Sequence, residues 1–159
     1  METQPFESSV LTNFESIFVR ADTGKRFLNY IIDLVCFMLL AFAFGIAGVL
    51  ILGEDFANSL ENINPLADRL ITLVIYALYM FVQETIFKGR SFGKFVTGTK
   101  AVYMDGSTIS AFTALQRGFG RAVPFSVFST FGNPCNPWWD RWTDTQVIDI
   151  KKSAFMSGE

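Results

Sequence analysis

The chain has no histidine among its 159 residues, so the commonest general base, the commonest metal ligand and every Ser/His or Cys/His arrangement are missing together. Ordinary hydrolase chemistry is not expected, and neither is a metal site or a bound cofactor. Cysteine is almost as scarce. Cys36 lies in an apolar run and Cys135 in a Pro-Cys-Asn-Pro segment, and two thiols so placed build neither a zinc site nor a disulfide framework. Charge is thin as well, at 18% of residues, below the usual share of a soluble domain. Residues 1–24 read as a cytoplasmic N-terminal segment with no removable leader, lacking a short apolar stretch with a small-residue cleavage site. Within it, Phe6 to Phe18 reads either as an amphiphilic stretch lying on the membrane or on the protein, or as a partly ordered tail.

Apolar surface is what the chain has in excess: half its residues are hydrophobic and 18 are Phe. The run from Phe27 to Leu52 holds 26 residues with one charge, Asp33. At 1.5 Å per residue it extends roughly 39 Å against a hydrocarbon core of about 30 Å, which places Asp33 near a membrane boundary. Ala41, Gly45 and Gly48 give this run a small-residue surface suited to close helix approach. Residues 53–69 are acidic and carry Pro65, as in a solvated extracytoplasmic loop. A second run, Leu70 to Phe87, is 18 residues long, just enough to cross, with Glu84 near its end. Every Lys and Arg except Arg69 lies outside the connecting loop, so the positive-inside rule predicts both termini in the cytoplasm.

The rest of the chain is less regular. Residues 88–121 suggest a cytoplasmic, membrane-hugging element with a short β-hairpin near Asp105-Gly106. In residues 122–137 the apolar stretch Ala122 to Phe131 is only ten residues long and fits a re-entrant or interfacial segment better than a third crossing, the alternative, with 138–159 as a cytoplasmic tail. The expected fold is mainly α: two transmembrane helices in an antiparallel hairpin plus interfacial helices, all in one membrane domain.

Arg26 and Asp33 are two helical turns apart and share a face, and a hairpin returns Glu84 to the depth of Asp33. Ionisable groups at membrane depth are either an ion or proton site or a structural charge network. Arg117 and Arg121, four residues apart, are candidate partners for the carboxylates, or for anionic lipid phosphates. Trp138, Trp139 and Trp142 suggest an interfacial aromatic anchor. GRSFGK has the wrong spacing for a phosphate loop, so neither nucleotide nor nucleic acid is an expected partner.

KRFLNYIID, then GRSFGKFVTGTKAVYMDG, ALQRGFGRAVPFSVFS and WWDRWTDTQVID, in that order, resemble the RDD family of bacterial membrane proteins. That family is named for an arginine and two aspartates, which by position are Arg26, Asp33 and Asp140. Two positions depart from it: Trp139 stands where many members have histidine, and Ser126 where related sequences often have glutamate. The resemblance implies residence in the bacterial inner membrane and transport of ions or small molecules, as a homo-oligomer or as a subunit. The alternative is a non-enzymatic accessory protein that binds a membrane partner complex or anionic lipid.

Overall fold

A computed structural model describes residues 18–131 and 136–156. Cys135 and most of the expected amphiphilic stretch before Phe18 lie outside them. The structure is mostly helical with a small two-stranded sheet. Helix α1 spans Thr23–Leu52 and starts ahead of the apolar run because Asp22 caps it, accepting from the Lys25 amide at 2.7 Å. Gly53, at φ 78°, ends it. Helix α2, Glu54–Glu61, occupies much of the segment predicted as open loop, and Glu54 and Asp55 face the positive end of its dipole. Helix α3, Pro65–Ile86, is capped by Asn64 with Pro65 in its first turn, so it too begins before its apolar run. These two long helices meet the length and composition needed to cross a membrane, and only 6% and 17% of their most apolar windows are buried. The core helix of a soluble protein would be mostly buried.

Short elements follow: α4 (Phe92–Thr97), β1 (Thr99–Tyr103), α5 (Ala111–Ala122), a 3-10 helix (Ser126–Phe131), α6 (Trp138–Arg141), β2 (Thr145–Asp149) and α7 (Ile150–Met156). The hairpin predicted at Asp105-Gly106 is present only as its turn. Gly106 sits at φ 83°, Tyr103 donates to the Ser107 carbonyl at 2.9 Å, and a single antiparallel bridge joins Val102 to Thr108. The ladder partner of β1 is instead β2, antiparallel from Thr99 opposite Asp149 to Tyr103 opposite Thr145, and Arg20 bridges Ile148 on the far edge of β2. All five residues of β2 are buried, so the segment predicted as a tail is an inner layer.

Within the chain, α1 and α3 meet through side chains. Phe37 packs edge-on to Tyr76 at 5.2 Å and against Tyr79 at 5.4 Å. Their closest backbone neighbours are the short helices. A Cβ on Gly93 of α4 would stand 2.4 Å from the Asn29 carbonyl oxygen of α1, and one on Gly118 of α5 would stand 2.5 Å from the Ala77 carbonyl oxygen of α3. The small-residue surface predicted to hold a helix is unused by α3: Gly45 has open space beside it, and Gly48 faces Phe56 of α2.

Candidate functional site

The glycine contacts bring four cationic side chains and three carboxylates into one buried cluster at the shared end of α1 and α3. Glu84, on α3, is its hub. Lys94 of α4 reaches one carboxylate oxygen at 2.6 Å, Arg121 of α5 approaches that same oxygen at 3.0 Å, and Arg117 of α5 donates to the other at 2.8 Å. Arg117 also donates to Asp140 of α6 at 2.6 Å and to the Thr145 hydroxyl of β2. Arg26 of α1 meets the second oxygen of Asp140 at 2.5 Å and donates to the Val147 carbonyl at 3.3 Å. Thus the guanidinium fork of Arg117 joins α3 to α6 and β2, and Arg26 joins α1 to the same carboxylate. A planar group with donors in fixed directions suits such bridging better than a lysine would.

Asp33 has a different role. It accepts from the Ser91 hydroxyl at 2.6 Å and the Gly93 amide at 2.8 Å, so a carboxylate on α1 satisfies a free N–H at the start of α4; Arg121 lies 3.9 Å away. One turn earlier, the Asn29 amide sits between the hydroxyls of Thr97 and Thr99. These bonds are possible because Gly93 lets α4 lie directly on α1.

Burial draws Lys94 down from its ordinary value of 10.5 to about 7; Glu84 resists, while Arg121 and Arg117 push the same way as burial. Burial also opposes ionisation of Asp140, but Arg117 and Arg26 outweigh it and hold that carboxyl below the usual range. For Arg117, Glu84 and Asp140 likewise overcome burial and raise the group. The Lys94 shift has a consequence for stability. Between about pH 7 and 10.5 the unfolded chain binds more protons at this position than the folded chain, so stability rises with pH across that window. Thermal melting in detergent is expected to move upward from pH 6.5 to pH 9, and Lys94→Met to flatten that slope. A melting temperature independent of pH, or an equal rise in the variant, would contradict this.

Every charged residue singled out from the sequence lies in this cluster, but the pairing differs from their spacing. Arg26 pairs with Asp140, not with Asp33, although both share a helix face. The tryptophans separate. Trp138 and Trp142 are exposed and stacked on each other at 6.1 Å, whereas Trp139 is turned inward, buried, with the Arg121 guanidinium 5.6 Å over its ring. Its expected place at an exposed surface is therefore corrected: the backbone of α6 lies so close to Gly120 that a Cβ there would stand 2.7 Å from the Trp139 Cβ, and the ring is buried. Lys94 was missed. Its basic, glycine-punctuated surroundings read as an exposed interfacial segment, and only the docking of α4 encloses it.

A sequence model of the RDD family matches residues 20–139. The chain belongs to the RDD family. RDD proteins are membrane proteins, in accord with the two long apolar helices. No curated protein and no solved structure matches the chain. The family match stops one residue before Asp140, and geometry joins that aspartate to Arg26. Trp139 and Ser126 both lie beside Arg121: Trp139 under its guanidinium, and Ser126 with its hydroxyl donating to the Arg121 carbonyl at 3.0 Å.

Proposed function

We propose that this RDD protein is a non-enzymatic accessory module of the bacterial inner membrane. Helices α1 and α3 cross the bilayer as an antiparallel pair, and the charge cluster fastens the short helices and sheet to their cytoplasmic end. The supporting observation is that each of the three carboxylates already meets cations or donors from other elements, so a passing cation would have to displace a guanidinium at Glu84 or Asp140 and the Ser91 and Gly93 donors at Asp33. The distribution of Lys and Arg favours the cytoplasmic orientation. The open space beside Gly45 favours a second copy or a membrane partner protein against α1.

Melting of the purified protein with Asp140→Asn, Arg26→Gln and both together tests the fastening role. Each single change is expected to cost about 3 kcal/mol because it leaves a buried charge without its partner, and the double variant is expected to fall short of the sum. Unaltered melting in Asp140→Asn would sink the proposal.

One observation favours a second reading, proton-linked transport: a buried lysine with a value near neutrality, in contact with a membrane-helix carboxylate. Two helices enclose no pore, so this needs a homo-oligomer or a partner channel. Proton or sodium flux in liposomes, abolished by Asp33→Asn in a protein that remains folded, would replace the first reading with this one.

A further inference from the structure

A cavity of about 520 Å³ runs between α1, α3 and the chain that follows α5. Its walls are mostly apolar, with Arg121 and Tyr76 bordering one end and Arg69 the other. Two observations point to a ligand there. Tyr76 is 6% exposed, yet its hydroxyl has no partner among the described residues. A buried hydroxyl left unpaired is costly and calls for an acceptor. With Lys94 protonated, the adjoining cluster also holds one more cation than it has carboxylates. The cation least tightly engaged is Arg121, at 3.0 Å from Glu84 and 3.9 Å from Asp33. A guanidinium and a hydroxyl at the end of an apolar groove together suit an oxyanion attached to a hydrocarbon tail.

Dimensions agree with such a tail. The groove is bordered on α1 from Tyr30 to Phe42, roughly 18 Å of helix, close to half the hydrocarbon core of about 30 Å. That is the depth one leaflet's acyl chain occupies. Phe125, held at φ 65° and 76% exposed, forms part of the rim.

We propose that this groove seats one acyl chain of the surrounding membrane's lipids, with its compact oxyanion head held by Arg121 and the Tyr76 hydroxyl. The expectation that Arg117 and Arg121 together bind lipid phosphate thereby narrows to one of them. Arg117 is fully enclosed between Glu84 and Asp140 and does not reach the cavity. Arg69 borders the opposite end of the groove, away from the Tyr76 hydroxyl, and plays no part. The inference rests on α1 and α3 crossing a bilayer, and not on the fastening role.

The test uses the full chain in a neutral detergent, titrated with palmitate, hexadecyl phosphate and hexadecanol and read by native mass spectrometry. At least one anionic probe is expected to bind at least about tenfold more tightly than hexadecanol, a difference of about 1.4 kcal/mol. Tyr76→Phe removes an unpartnered hydroxyl, so it is expected to leave melting unchanged or raised while weakening the anionic probe several-fold. Ala41→Trp, which fills the groove from its exposed wall, is expected to abolish binding, and Arg69→Gln to leave it intact. Hexadecanol bound as tightly as the anions, wild-type affinity in either Tyr76→Phe or Ala41→Trp, or loss in Arg69→Gln would each overturn the proposal. Alkaline washing of membranes separates the two levels. A protein released by the wash refutes the bilayer crossing itself, whereas a retained protein that fails the titration refutes only the groove.

Discussion

Arg117→Ala is expected to be the most damaging single change in the charge cluster. It removes the group that bridges Glu84 and Asp140, both nearly without solvent access, and so leaves two carboxylates under-compensated at once. Breaking a buried pair by deleting one partner costs about 3–5 kcal/mol. In a protein of this size each kcal/mol moves the melting temperature by about 2–4 °C. A fall of about 6–20 °C is therefore expected, with loss of membrane-inserted protein in cells. Arg117→Lys separates charge from geometry. The ammonium restores the charge but lacks the fork that reaches Glu84, Asp140 and Thr145 together, so it is expected to recover only part of the loss. If lysine restored full stability, net charge alone would account for the site, and the bridging role assigned to Arg117 would be wrong.

Gly93→Ala is expected to have an effect of similar size through packing alone. The added Cβ would stand 2.4 Å from the Asn29 carbonyl oxygen and 2.8 Å from the Asn29 Cα, both backbone atoms of the long helix α1 that cannot swing aside. Either α4 lifts from α1 or the helix bends. Overpacking of this kind costs about 1–3 kcal/mol, and losing the Gly93 amide bond to the Asp33 carboxylate adds about 1.5–3 kcal/mol. Gly45→Ala serves as the comparison. That position has open space and is expected to leave melting of the monomer within about 0.5 kcal/mol of wild type. Equal melting of the Gly93 and Gly45 variants would show that α4 does not depend on this contact.

The positions these predictions turn on were unequally visible in the sequence. Asp33 and Glu84 stood out because a carboxylate in an apolar run is rare and each run had one. Arg117 and Arg121 could be suggested as partners from their helical spacing, but Lys94 could not be told from the other basic residues around it. Gly93 looked like one more glycine in a membrane-hugging, interfacial stretch. Its importance lies in the approach of a helix whose Asp33 is 60 residues away in the chain, which no local pattern encodes. The strand Thr145–Asp149 was missed for a related reason: it is buried on every residue, yet Thr145, Gln146 and Asp149 are polar, so neither an apolar run nor an alternation marks it.

Hydropathy and length alone determined that two helices are suited to crossing a membrane, and the order of the sequence blocks indicated the family. These are properties of contiguous stretches, legible because each residue's transfer free energy acts where the residue stands. The tertiary structure decided which cation meets which carboxylate. Arg26 meets Asp140 across 114 positions, and Arg117 meets Glu84 across 33. Those pairings follow from glycines that let short helices lie against long ones, and from a strand partner supplied by the far end of the chain. A buried charge takes whatever counter-charge the docked backbones bring within reach, and that proximity does not exist until the chain has folded.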